Sequence, residues 1–241
     1  DFLKTVGSAS LAGSLFADLA GSPPKAKYCW TAGDFLVLGH LATNPQQISW
    51  SGLNDAEWWT YGQRGSDFQV FPDGNEVQGG ITEVGGAIVI QRDAIKFQQF
   101  TGGSYIFSFQ TLNPSRGAVS PKSIVSVGPG QFMFLGEAGF FMGGQAQPIG
   151  AQTIDEWFLS GDELDLDKID LVQGVADPYN KIVWWRYQTV NGDYRLIGYH
   201  WQLGRWCYST LNVNFLLSLL TPGVTWDGLD NLYAPIDDVT P

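Results

Sequence analysis

The feature that most restricts the fold is a recurrence. Apolar segments of strand length begin near Leu36, Ala87, Phe132 and Ile182. One therefore returns about every 50 residues, the period of propeller blades rather than of helical solenoids. Each unit supplies three to four short strands parted by turns such as Pro72-Asp73-Gly74-Asn75, Thr101-Gly102-Gly103, Gly128-Pro129-Gly130 and Asn191-Gly192-Asp193. Proline presets φ there, Asp-Gly tolerates the left-handed region, and Asn-Gly is a strong hairpin signal. The sequence predicts an all-β chain: a β-propeller-like array of antiparallel meander blades, with residues 1–241 as a single domain. A two-sheet β-sandwich made from the same strands is the alternative.

Residues 47–59 carry the clearest copy of the unit. Ile48 and Trp50 alternate with Gln47, Ser49 and Ser51 in the period of a half-buried strand. Ser51-Gly52 and Asn54-Asp55 then break it, and Trp58-Trp59 follow as an aromatic anchor. The large aromatic of the outermost strand in each blade falls to Trp58, Trp157, Trp206 and Trp226. Residues 1–27 are rich in small side chains and read as a loose strand or loop, where Gly13 interrupts a short helical pattern of Leu11, Leu15, Phe16 and Leu19. Residues 152–170 form the best helix candidate, an acidic amphipathic insertion on the surface between the third and fourth units.

Composition supports a β-rich chain with many turns: 30 glycines, 14% aromatic residues and only 15% charged ones. The formal net charge of −11 argues against a basic groove gripping nucleic-acid phosphates. Two readings of the acidity stay open: ordinary solubility charge, or a duct wall along which DNA slides without sticking. Cys29 and Cys207 stand far apart with no Cys-x-x-Cys pair or nearby histidine, and read as two buried free thiols. No apolar run of about 18 residues marks a membrane span. A first residue Asp1 in place of Met suggests processing or a fragment of a longer chain.

The motifs of common catalytic centres do not occur in the sequence. His40 and His200 each sit inside an apolar strand pattern and read as satisfied or surface histidines rather than general bases. The acids of residues 162–170 invite a calcium reading, but the run has neither the central glycine nor the terminal glutamate of an EF-hand loop and reads as a solvated acidic face. Asp55, Glu57, Asp155 and Glu156 are the carboxylates to test for glycoside hydrolysis, which needs a pair facing each other across a cleft. The ten tryptophans read mainly as blade core, with stacking on sugars as the functional alternative. No catalytic, cofactor or metal residue is assigned. The positions singled out are structural anchors: Trp50, Trp58, Asp73, Gly74, Gly136, Gly139 and Trp206.

Five motifs, in order, resemble a family of tailed-bacteriophage virion proteins. They are Trp50-Ser51-Gly52-Leu53-Asn54-Asp55 with Trp58; Phe71-Pro72-Asp73-Gly74 before Val77-Gln78-Gly79; Phe134-Leu135-Gly136-Glu137-Ala138-Gly139-Phe140; Pro148-Ile149-Gly150; and Leu203-Gly204-Arg205-Trp206. The similarity runs from about Gly21 to Asp230 and is to propeller-like tail proteins of short-tailed phages, among them the nozzle. It implies a virion structural subunit in the tail, repeated in a ring at or below the head-to-tail junction, with copies of itself and other tail proteins as partners. DNA would pass along the axis without specific binding. The resemblance carries over no enzyme activity, cofactor or membrane anchor, and such proteins are typically longer at both ends. A carbohydrate-binding propeller acting in host adhesion is the alternative function.

Overall fold

The computed structural model describes residues 4–6, 16–103, 105–151 and 153–217. A short antiparallel pair, β1 (Lys4–Val6) with β2 (Phe16–Asp18), precedes four antiparallel sheets of four strands. The first sheet holds β3 (Ala26–Ala32), β4 (Phe35–Leu41), β5 (Gln47–Trp50) and β6 (Asp67–Val70). The second holds β7 (Val77–Glu83), β8 (Gly86–Gln91), β9 (Ile95–Phe100) and β10 (Phe107–Asn113). β11 (Val125–Gly128), β12 (Gln131–Gly136), β13 (Gly139–Met142) and β14 (Gln147–Pro148) make the third, and β15 (Gln173–Asp177), β16 (Ile182–Gln188), β17 (Tyr194–His200) and β18 (Arg205–Ser209) the fourth. Within every sheet the spatial order is the chain order, so each is a simple meander. The chain is thus all-β, and its four separate sheets are not the two of a sandwich.

Strand alternation explains how the sheets stack. In β8, Ala87 and Val89 face the first sheet and join Trp30, Val37, Ile48 and Trp50, while Ile88 and Ile90 face the third and join Phe132, Phe134 and Phe141. β12 repeats the arrangement: Phe132 and Phe134 point back, and Met133 and Leu135 point forward to Val183, Trp185 and Ile197. Both strands need apolar residues at consecutive positions because both of their faces are covered. The first sheet's far face is closed by Leu19, Leu38, Leu41 and Trp59. Among the described residues no hydrophobic cluster joins the fourth sheet to the first.

The first strands of neighbouring sheets approach most closely: β3 lies against β7, and β11 against β15. Glycine makes this possible. A Cβ on Gly80 would stand 2.2 Å from the Trp30 indole, and one on Gly174 2.4 Å from Val125.

Several expectations change. β5 is buried on both faces rather than half-buried, since Ile48 and Trp50 pack against the second sheet while Ser49, on the other face, meets Tyr61 through a 2.7 Å hydroxyl pair. Residues 152–170 do not form one surface helix. They give a five-residue helix, α1 (Asp155–Leu159), and a separate 3₁₀ segment at Leu166–Leu171. Gly161, at φ 85°, breaks the run, and Phe158 and Leu164 turn inward to full burial, Leu164 bridging to Thr189. Both cysteines are exposed, because each alternates outward on an edge strand, β3 or β18. The helical pattern at Leu11 and Leu15 lies outside the described residues, as does Trp226. No helix among the described residues is long and apolar enough to cross a membrane.

Candidate functional site

The seven anchor positions fall at joints between elements. Trp50 is buried, stacks edge-on against Phe107 of the second sheet, and donates its indole N–H to the Gly65 carbonyl at 2.8 Å. Trp58 is in the β5–β6 loop, not on an outer strand: it is half-buried under the Arg64 guanidinium, and the deeply buried neighbour is Trp59. Trp157 likewise sits on α1 and is exposed. Only Trp206 of the described three lies on an outermost strand, β18. Its ring packs on Phe140 and Tyr199, and its N–H donates to Ile149 O at 3.1 Å.

In the β6–β7 turn the left-handed residue is Asn75, at φ 58°, not Gly74. Gly74 is required for space, because a Cβ there would stand 2.6 Å from both Ala94 and Gln91. Its neighbour Asp73 accepts a 2.7 Å hydrogen bond from the buried Lys96 ammonium, which holds the Asp73 carboxyl below the usual range. Gly136 leaves room for Phe141 and the Gly117 carbonyl. Gly139, at φ 128°, and Gly150 form the walls of a cradle around the Asp155 carboxylate; a Cβ on either would come within 2.2 Å of it.

Asp155 is therefore a buried carboxylate with a structural partner, the Phe140 N–H at 3.1 Å. Burial raises its pKa, and that single hydrogen bond only partly opposes the effect. Its neighbour Glu156 is exposed, so the two do not face each other across a cleft. Asp55 accepts from the Glu57 N–H and pairs with Arg64 at 2.9 Å, as a turn residue does. His40 Nδ1–H donates to Val77 O at 2.9 Å, and His200 Nδ1 accepts from the Leu203 N–H. Among the described residues no group of three or more His, Cys, Asp or Glu is placed to hold a metal ion.

One polar network was not foreseen from the sequence. Glu163 accepts from Tyr187 OH at 2.7 Å and from Arg195 at 2.9 Å, and Arg195 also donates to Tyr208 OH. Burial and the Glu163 carboxylate together push the Tyr187 phenol far above its ordinary pKa. The acidic run of residues 162–170 is thus not simply a solvated face. Glu163 ties it to the fourth sheet, and Asp165 caps the 3₁₀ segment by accepting from the Asp167 N–H.

Among the described residues, two openings lie beside the outer strands and at the sheet ends. A groove separates the outer strands β6 and β10, lined by Gln69, Phe107 and Phe109 among others. A second cleft of about 520 Å³ opens at one end of the third and fourth sheets, where the β11–β12, β13–β14 and β17–β18 turns come together. Sequence reasoning missed the second because its residues are glutamines beside glycine turns, unremarkable one by one. The signal was their common position: Gln131, Gln145 and Gln147 all flank turns at the same end of the third unit. No protein-family model matches the chain, and no curated protein matches it.

Proposed function

We propose that the chain is a structural subunit of a bacteriophage tail, a propeller-like component of the nozzle type or of a ring close to the head-to-tail junction, which forms part of the DNA ejection conduit. The observation that carries this reading is the place of the five resembling motifs. Each supplies a packing joint or a turn: Gly52 under Trp58, Gly74 under Ala94, the Gly139–Gly150 cradle, and Trp206 on Phe140. Motifs of this kind preserve a shape, which is what a ring subunit needs.

The propeller-like geometry finds support in the convergence of the first strands. β3 meets β7 and β11 meets β15, while the outer strands β6 and β10 are parted by an open groove. Four-strand meanders packed face to face with their first strands inward are what radial blades require. Copies of the chain would then close a ring through heterologous contacts, with other tail proteins above and below. A net charge of −11 suits passage of DNA without adhesion.

Electron cryomicroscopy of the purified chain and of the virion tests the assignment. The expected result is a closed ring of copies around an axial channel on whose wall acids outnumber bases. An isolated monomer without ring neighbours in the particle overturns the subunit assignment, and an even or basic lining overturns its role as a non-adhesive duct.

A further inference from the structure

We propose that the cleft between the third and fourth sheets is a binding site for a neutral saccharide, with Trp201 as the stacking platform and glutamine amides as the hydroxyl-reading groups. Its volume of about 520 Å³ lies within the usual range of small-molecule sites, roughly 300–1,000 Å³. The lining is Trp201, Met142, three glycines and Gln131, Gln145, Gln147 and Gln202, with no ionisable side chain among them.

Each part of that lining restricts the ligand. Trp201 is half-buried: part of it packs against the core of the third and fourth sheets, which fixes the ring, while it also lines the cleft. Its backbone is held by the Trp201 N–H bond to Lys181 O at 3.1 Å. An indole face offers a flat apolar surface with a negative quadrupole, which suits the C–H face of a pyranose.

The four glutamines are exposed, and among the described residues none of their side-chain amides makes a hydrogen bond within the protein. A primary amide presents one acceptor and two donor hydrogens, the pairing a sugar hydroxyl can satisfy from both sides. Gly143, at φ 70°, has open space where a Cβ would stand, so a ligand can approach its backbone closely.

Charge excludes the competing ligand classes. A phosphate, sulfate or carboxylate needs a cation or a set of donors, and the cleft provides no lysine or arginine. A charge fixed at its rim is acidic: Glu83 accepts from the Gly130 N–H through both oxygens at 2.8 Å. An anionic glycan or a nucleic acid would meet repulsion there. A neutral glycan would not.

The test uses the full chain and a panel of cello-, malto-, xylo-, manno- and chito-oligosaccharides, with a sulfated oligosaccharide as the charged comparison. Binding is read by calorimetry and by tryptophan fluorescence. At least one neutral class is expected to bind with a Kd of millimolar or tighter, and Trp201→Ala to weaken it by at least about tenfold. Gln145→Ala and Gln202→Ala, at exposed positions, are each expected to weaken it roughly three- to tenfold, the weight of one net hydrogen bond. Trp157→Ala, on α1 and outside the cleft lining, leaves it unchanged. If Trp201→Ala does not fold, the two glutamine variants decide. No binding of any neutral class at about 10 mM, tighter binding of the sulfated probe, or affinity unchanged in both glutamine variants overturns the proposal. None of these outcomes bears on ring formation, so this site and the tail assignment fail separately.

Discussion

Two aspartates respond to their surroundings in opposite directions. Asp73 has its folded pKa lowered by the Lys96 ammonium, so the stability it contributes is present above the ordinary carboxylate range and is lost as pH falls through the folded value. Asp155 has its folded pKa raised by burial. The folded state holds that proton more tightly, and stability declines as pH rises from the ordinary carboxylate range through the raised value. Asp155→Asn keeps an oxygen for the Phe140 N–H and removes the charge. It is expected to be at least as stable as the parent at pH 7, with the advantage vanishing below about pH 4, as measured by urea unfolding at both pH values. A loss of more than about 1 kcal/mol at pH 7 would mean that the cradle favours the charged form. For the other pair the asymmetry lies in exposure. Lys96 is 5% exposed and Asp73 55%, so removing the acid strands a buried ammonium, while removing the base returns a carboxylate to water. Asp73→Ala should therefore cost more than Lys96→Met, about 1–2 kcal/mol after allowing for solvent screening of the half-exposed acid. Equal losses would refute this account.

At the scale of elements, the close approach of first strands depends on missing side chains. Gly80→Ala would force its methyl into the Trp30 indole and is expected to destabilise by about 1–3 kcal/mol, with a shift in tryptophan emission. Gly128→Ala, with nothing within 4 Å of its Cβ, should be neutral by the same measurements. Much of this level was legible in the sequence. Val37, Ile48, Ile90 and Phe134 announce their strands because apolar residues between turn signals have few other uses, and the repeat of such groups gave four meanders. What escaped depended on tertiary context. β14 is two residues long and contains Pro148, too little for any periodicity. The acidic segment reads as helical because Ile154, Trp157, Phe158 and Leu164 are spaced for one face, yet Gly161 and the pull of Leu164 to full burial divide it. Trp58 and Trp59 cannot be ranked from sequence alone, since the choice between them is made by which ring faces Leu38 and Leu41. The cleft proposed to bind a saccharide was hard to read for a related reason: its glutamines come from turns of one sheet and the β17–β18 turn of the next.

At the scale of the whole molecule, the sheets form a series in which, among the described residues, each shares its core only with its neighbours, as repeats do in a quasi-one-dimensional array. Position in the series should then set local stability. β8 is buried along its full length between two clusters, whereas β16 alternates buried and half-buried residues, its far face covered in part by the segment that follows β18. That cover is thin: Arg186 donates to Val213 O and Gln173 to Leu216 O, while Phe215 and Leu217 remain largely exposed. Hydrogen exchange of the isolated chain is therefore expected to be slowest in β8 and β12 and markedly faster in β16–β18, because amides in a sheet with one open face need only a local opening to exchange. In the ring proposed above that sheet would gain a neighbour, and protection of β16–β18 should then rise while that of β8 changes little. Uniform protection of all four sheets in the monomer would instead mean that the series already closes on itself within one chain, and the ring contact would have to be sought on another surface.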